Sequence, residues 1–170
     1  MPLALPQPTL ADYRLHLLQL RHWLTPLLAW LAAYGDGPQG EPALPAIDRL
    51  CALQADLDDR ALPACNDELT PPAWPWPAGA NAAYRWGVCY VIEGSQLGGA
   101  VLYKKLAASL APHPLRYLQG TSDGLAAPRW LRFIGAMRQQ VVSAADIENA
   151  ARGAADAFDA LLAIHAETQA

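Results

Sequence analysis

The segment Tyr90-Val91-Ile92-Glu93-Gly94-Ser95-Gln96-Leu97-Gly98-Gly99-Ala100-Val101 places three glycines within what otherwise reads as the middle of a long helix. Each interior glycine costs about 1 kcal/mol relative to alanine, so the three together weaken the helix by about 3 kcal/mol. Gly94 and Gly98 share one helix face, and Gly99 is expected to widen that bare strip. Removing these side chains must therefore allow close approach, either by a second helix or by a flat ligand lying across the backbone.

Apolar periodicity on both sides of this segment predicts further helices. Thr9, with Asp12 three residues later, forms a capping-box variant and begins the first one. Its apolar stripe recurs at spacings of three and four residues, at Leu10, Tyr13, Leu17, Leu20, Leu24, Leu27 and Leu31. Pro26 lies inside this helix and is expected to kink it. A second helix is predicted over 45–60.

The remaining segments complete an all-helical pattern. The glycine-bearing helix is predicted over 81–110, with a bend at its glycines, and another helix over 128–142. Ser143 caps a last helix, whose apolar stripe is predicted to be Ile147, Ala151, Ala154, Phe158, Leu161 and His165. Five prolines between residues 61 and 79 forbid regular structure there, and Trp74 and Trp76 are expected to cover the core beneath this connector. We predict an all-α fold, a single multihelical domain over 9–168 preceded by an irregular leader over 1–8.

Composition excludes several classes of protein. The chain has 170 residues, 53% of them hydrophobic, which suits one domain with a real core. A formal charge of -4 without a run of Lys or Arg argues against a nucleic-acid surface. No apolar run approaches the ~20 residues of a membrane span. Cys51, Cys65 and Cys89 are odd in number and widely spaced, so we expect buried free thiols in a reducing cytoplasm.

The glycine segment also carries a resemblance to a known family. Glu93-Gly94-Ser95-x-Leu97-Gly98-Gly99, preceded by Tyr90-Val91-Ile92, resembles the distal-helix motif of bacterial heme oxygenases, in particular the branch associated with bacteriophytochromes. The segment 49–57 resembles the short helix of that family that ends in Leu-x-x-Asp-Leu. Trp130, Phe133 and Met137, followed by Ala155-x-x-Phe158, resemble its last two helices.

The resemblance implies an all-α heme oxygenase-like fold and an activity. Enzymes of this family cleave heme with oxygen to biliverdin, carbon monoxide and ferrous iron, using electrons from a reductase. Their heme lies between a proximal helix that carries a histidine ligand and the glycine-rich distal helix. Ser95 falls where several members carry an aspartate that organises a distal water network, and a hydroxyl can also hold a water.

Other heme contacts are implied residue by residue. Gly94, Gly98 and Gly99 match the distal glycines, and Phe158 matches an aromatic that lines the pocket. The family's propionate-binding cations lie near Arg129 and Arg132, with Gly135 as a candidate replacement for one of them. Lys104 and Lys105 are better explained as a solvated patch.

The front of the sequence departs from the family pattern. Family members begin with a helix of the type Leu-Arg-x-x-Thr-x-x-x-His-x-x-Leu, which is not found before Thr9. Either the start was assigned too late, or this relative has lost one wall of the pocket. His165 and His22 are weak candidates for a replacement ligand, and His16 and His22 cannot share one helix face.

Three hypotheses remain open from the sequence. The first is an oxygen-dependent heme-degrading enzyme that needs the proximal ligand to be supplied. The second is a non-catalytic binder of heme or another tetrapyrrole. The third is a structural protein without a heme pocket or cofactor, whose vacated groove binds a partner helix or forms a homodimer.

Overall fold

The computed structural model describes residues 3, 6–64, 73–120 and 126–167, and these residues form an all-helical structure without a strand. The all-α prediction is therefore confirmed. The described residues contain six α-helices and one short 3-10 helix, the latter over Gly37–Gln39. The α-helices are α1 (Leu10–Leu31), α2 (Arg49–Leu57), α3 (Ala82–Leu106), α4 (Arg116–Gln119), α5 (Ala126–Gln140) and α6 (Ala144–Glu167). Within the described ranges, no helix is both long enough and apolar enough to span a bilayer.

Helix α1 begins as predicted. The Thr9 hydroxyl accepts a hydrogen bond from the Asp12 backbone N–H at 3.2 Å, and the Asp12 carboxylate accepts one from the Thr9 N–H at 2.7 Å. The helix continues through Pro26 to Leu31, and six of the seven predicted stripe residues are buried, with Leu10 partly buried. The reciprocal cap and the apolar stripe together fix where this helix starts and which face it buries.

Three helices differ from their predicted bounds, and one of them, α5, covers Ala126–Gln140 and not 128–142. Helix α2 covers Arg49–Leu57 and not 45–60, because the Asp48 carboxylate caps it by accepting from the Cys51 N–H at 2.9 Å. Helix α3 begins after its Asn81 cap and ends at Leu106, four residues earlier than predicted. Helix α4 was not predicted at all. Its four residues are too few for a periodic pattern, and it follows Leu115, which has a left-handed backbone at φ 51°.

The predicted stripe of α6 is only partly right, since Ala154 and Leu161 pack against the main core but Ile147 and Phe158 do not. The buried face consists mainly of small residues: Ala150, Gly153, Ala157, Ala160 and Ile164. Ile147 and Phe158 are 57% and 51% exposed. A Cβ built on Gly87 of α3 would lie 1.8 Å from the carbonyl oxygen of Ala150, and one built on Gly153 would lie 2.1 Å from that of Tyr84. The backbones of α3 and α6 touch, which turns the small face of α6 inward.

The aromatic segment before α3 covers the core as predicted. Trp74 and Trp76 pack against the core, and Trp76 stacks on Trp30 of α1 with ring centroids 5.3 Å apart. The indole N–H of Trp30 donates to the carbonyl oxygen of Pro77 at 3.1 Å. From the predicted leader, Leu3 is 2% exposed and belongs to the main core.

Candidate functional site

One exposed face of α3 carries the glycine segment. Tyr90, Gly94, Gly98 and Val101 follow one another at spacings of four, four and three residues, and we call them the glycine face. Val101 is 68% exposed and Tyr90 is 40% exposed. A Cβ built on Gly98 would meet nothing within 4 Å. Among the described residues, no helix packs on Gly98, so helix contact does not explain the loss of its side chain.

Trp130 of α5 borders this face. A Cβ built on Gly94 would lie 3.6 Å from the Trp130 ring, an ordinary van der Waals distance. The centroid of the Trp130 ring is 5.1 Å from that of Tyr90, and Trp130 stacks on the buried Phe133 at 5.9 Å. Bare backbone next to an anchored aromatic ring forms a surface suited to a flat apolar ligand.

Gly99 does not widen the bare strip. It is buried, and a Cβ built on it would lie 3.7 Å from the carbonyl oxygen of Leu118 on α4. A residue one position further along a helix is rotated by about 100°, which turns Gly99 towards α4. Its packing partner belongs to the helix that the sequence did not predict, and its role as a heme contact stays a prediction.

Ser95 is half-buried beside Gly94. Its hydroxyl donates to the carbonyl oxygen of Ile92 in the preceding turn at 2.7 Å. The donor is thereby used, while the oxygen lone pairs can still accept a hydrogen bond from water. One residue on, the Gln96 amide donates to the Tyr117 hydroxyl at 3.1 Å, which ties α4 to this part of α3.

Glu93 is held between two arginines inside the protein. Arg49 donates to its carboxylate at 2.6 Å, and Arg129 donates from two nitrogens at 2.8 and 2.9 Å. Burial alone would raise the pKa of Glu93, but the hydrogen bonds from Arg129 and the charge of Arg49 outweigh it and hold that pKa below its usual value. The buried carboxylate is therefore ionised and fixes α3 to α2 and α5.

This cluster corrects the sequence interpretation of Arg129. We placed Arg129 among candidate propionate cations, but it is buried and also donates to the carbonyl oxygen of Pro45 at 2.8 Å. Pairs separated by 36 and 44 residues leave no local sequence signal. Arg132 is exposed, so it remains a candidate contact for a propionate. Lys104 and Lys105 are also exposed, as expected for a solvated patch.

A second buried carboxylate positions α4. Asp56 is fully buried and accepts hydrogen bonds from the Tyr13 hydroxyl at 2.7 Å and the Tyr117 backbone N–H at 2.8 Å. Arg116 pairs with it at 3.2 Å. The aspartate of the Leu-x-x-Asp-Leu segment thus joins α1, α2 and α4, a role that the sequence did not reveal.

Phe158 lies towards the other end of the α3–α6 pair. Because Gly87 meets Ala150 and Tyr84 meets Gly153, the two helices run antiparallel. Phe158 comes after Gly153 in α6 and therefore lies near the N-terminal end of α3. Gly98 lies on the C-terminal side of the middle of α3. Its predicted place at the pocket stays a prediction.

The four histidines occupy other positions. His16 is buried in α1. Burial is the main cause that lowers its pKa to about 4, so its imidazole is neutral at pH 7. His22 is half-buried, and burial lowers its pKa as well. A nitrogen of His165 lies 3.1 Å from the Gln19 amide. His113 is buried, and its Nδ1 accepts from the Leu115 N–H at 3.0 Å. No imidazole is among the atoms nearest to Gly94, Gly98 or Gly99.

The thiols match the prediction only in part. Cys89 is half-buried as a residue, and burial of its thiol raises its pKa to about 12. Cys51 is exposed, so its predicted burial is wrong. Cys65 lies outside the described residues. Within the described ranges, no cluster of His, Cys, Asp and Glu side chains could hold a metal ion.

Comparisons with known proteins point to one family. Residues 9–167 match a family profile described as heme oxygenase. The chain is also 38% identical over 143 residues to a protein named heme oxygenase from Xanthomonas campestris pv. campestris (strain 8004), covering 82% of this chain and 73% of that protein. No solved structure matches the chain significantly.

Proposed function

The chain belongs to the heme oxygenase family, and from this premise we propose that it binds heme on the glycine face of α3. We further propose that it cleaves heme with oxygen to biliverdin, carbon monoxide and ferrous iron once an axial ligand is supplied. The observation that carries the proposal is the open backbone at Gly98, where a Cβ would meet nothing within 4 Å. The Glu93-Gly94-Ser95 sequence leads us to place the chain in the bacteriophytochrome-associated branch, with a reductase as electron donor.

The residues present fit one side of a heme. Gly94 and Gly98 leave the α3 backbone bare over one helical turn, and Val101 and Trp130 supply apolar surface on either side. Such a surface contacts a planar macrocycle over a large area without a side chain in the way. When bound, heme supplies the iron that activates oxygen and the ring edge that is oxidised.

The chain's own residues then orient and hydrate the ligand. Gly98 lets the plane approach the backbone, and Trp130 limits how far it extends towards α5. The Ser95 oxygen, whose proton is already donated to Ile92, accepts a hydrogen bond from a water and holds it beside Gly94. Arg132 is an exposed cation on α5 and offers a charge partner for a propionate.

The axial ligand is the element that has to be supplied. Neutral imidazole is a common iron ligand, and His165 and His22 are the two half-buried histidines among the described residues. A ring nitrogen of His165 is already in contact with the Gln19 amide at 3.1 Å. We expect free imidazole in solution to improve hemin binding more than the loss of His165 or His22 weakens it.

Hemin titration tests the binding proposal. Purified protein titrated with hemin should give a saturable Soret shift, and millimolar imidazole should sharpen the band and tighten binding. Gly98→Leu should abolish the shift, because it places a large side chain on the bare backbone. Ala29→Leu, at an exposed site on α1, is the matched control and should bind hemin like the natural chain.

Turnover is a separate measurement on the same complex. With hemin, imidazole, a reductant and air, the Soret band should decay while the biliverdin absorption grows. A Soret shift without biliverdin would refute the oxygenase activity and leave a heme-binding protein. An equal response of Gly98→Leu and Ala29→Leu would show that heme binds elsewhere.

A further inference from the structure

A cavity that opens to solvent lies beside Glu93. Its volume is about 330 Å³, and it is lined by the end of α1, the loop before α2, and residues of α3 and α5. Arg49, Glu93 and Arg129 line it, and Ala46, an exposed residue, stands at its rim. The glycine-face residues Tyr90, Gly94, Gly98 and Val101 are not among its lining residues, so it is distinct from the proposed heme surface.

The charges that line this cavity do not balance. Arg49 and Arg129 face a single carboxylate, Glu93, which leaves one positive charge in excess. The neighbouring Arg85 does not change this count, because it pairs with Asp36 at 2.6 Å. Cys89, which also lines the cavity, has a thiol whose pKa burial raises to about 12, so it adds no negative charge. Asp48 caps α2 and is exposed to solvent outside the lining.

A hydrogen-bond donor is also left over in this cluster. Arg49 is 8% exposed, and its Nε is buried without a partner among the described residues. Arg129, by contrast, uses all of its nitrogens, on Glu93 and the Pro45 carbonyl. Buried guanidinium N–H groups are normally paired, and an unpaired one together with an excess positive charge favours an anionic acceptor.

The rest of the wall is mainly apolar, with Tyr34, Gln39 and Cys89 as its neutral polar members. Leu28 and Leu31 of α1, Ile92 of α3 and Phe133 of α5 line the same space. A free inorganic anion would leave this surface without contacts, whereas a short hydrocarbon chain would fill it. We propose that the cavity is a binding site for a small organic monoanion, an aliphatic carboxylate whose head group pairs with Arg49 and whose chain packs between α1 and α3.

Calorimetric titration of the full chain with sodium hexanoate tests this site. We expect saturable binding at constant ionic strength, and binding of hexanamide, which has the same chain without the charge, at least tenfold weaker. Arg49→Lys keeps the charge but removes Nε and should weaken hexanoate roughly tenfold or more. Ala46→Phe should close the rim and abolish binding, while Ala145→Phe, at an exposed site on α6, should have no effect.

Three results would overturn the proposal: no heat with hexanoate, equal affinity for hexanamide, or unchanged binding in Ala46→Phe. Thermal unfolding of each variant without ligand shows whether it is folded, so lost binding is not confused with lost structure. Hexanoate should not compete with hemin, since the two sites share no glycine-face residue. The outcome is therefore independent of whether the chain binds or degrades heme.

Discussion

Helix α3 carries glycines of two kinds, one packed against another helix and the other on an open face. Near its N-terminal end, Gly87 is buried and meets Gly153's helix so closely that the backbones touch. Near its middle, Gly94 and Gly98 lie on a face where a side chain would meet one ring edge or nothing. At Gly87 and Gly153 the missing side chains allow α3 and α6 to pack together. At Gly94 and Gly98 no helix in the described part of the chain occupies the space that the missing side chains leave. Glycine in a helix thus marks close approach, and only the neighbouring atoms tell which partner approaches.

The largest effect tests the buried cluster of three charges around Glu93, which lies between Gly87 and Gly94 in the sequence of α3. Glu93→Ala leaves Arg49 and Arg129 buried without their carboxylate, and breaking such a cluster costs about 3–5 kcal/mol of unfolding free energy. Urea unfolding followed by circular dichroism measures the loss. Glu148→Ala, at an exposed site on α6, is the control and should change stability little. A loss below about 1 kcal/mol for Glu93→Ala would mean that the cluster is hydrated.

The packed glycines give the next largest effect. Gly87→Ala would place a methyl group 1.8 Å from the Ala150 carbonyl oxygen, so α3 and α6 must separate. We expect a loss of about 3 kcal/mol or more, towards the upper end for overpacked cores. Gly135→Ala is the matched substitution, since a Cβ there meets nothing within 4 Å, and should raise stability by up to about 1 kcal/mol. Equal responses would erase the distinction between packed and open glycines.

Acid should lower the unfolding free energy of the protein through protonation of the buried His16. Its folded pKa, about 4, lies below the ordinary value of 6.5, so the unfolded chain binds more protons between these pH values. Stability is then complete above pH 6.5 and falls as the pH drops towards 4, by up to about 1.4 kcal/mol per pH unit.

His16→Gln isolates this contribution. The variant lacks the titrating group, so its unfolding free energy should fall less steeply than that of the natural chain between pH 6.5 and 4.5. Chemical unfolding at several pH values gives both slopes. Parallel slopes would show that the pKa of His16 is the same in the folded and the unfolded protein.

The sequence predicted the elements better than their contacts. The stripe of α1 and its Thr9–Asp12 cap depend on residues a few positions apart, and both are present. The inward face of α6 was missed, because Ile147 and Phe158 look like core residues until Gly87 is seen against Ala150. Hydrophobicity favours the larger side chains, but two glycines allow a closer packing that only small residues fit.

The candidate site divides in the same way. The glycine segment was recognised because its residues are contiguous, and helical spacing places Gly94 and Gly98 on one face, but only the structure shows that this face is open. The arginines that hold Glu93 come from positions 44 residues before it and 36 after it, and Asp56 meets Tyr117 across 61 residues. Such pairings depend on tertiary structure, and Gly99 was misplaced for the same reason, since its neighbour is Leu118 of the unpredicted α4.

The smallest expected effect is that of Gly98→Ala, which tests whether the open face of α3 is kept bare for a ligand. Gly98→Ala adds a methyl group that meets nothing within 4 Å, so the protein without ligand should gain about 0.5–1 kcal/mol from better helix propensity. The same methyl group would stand between the α3 backbone and a heme plane, and should weaken hemin binding by about 1 kcal/mol or more. Urea unfolding and hemin titration of this one variant measure the two quantities. A gain in stability with unchanged hemin affinity would mean that the open face of α3 is not where the macrocycle rests. Opposite signs would show that the chain gives up helix stability at Gly98 in return for the ligand.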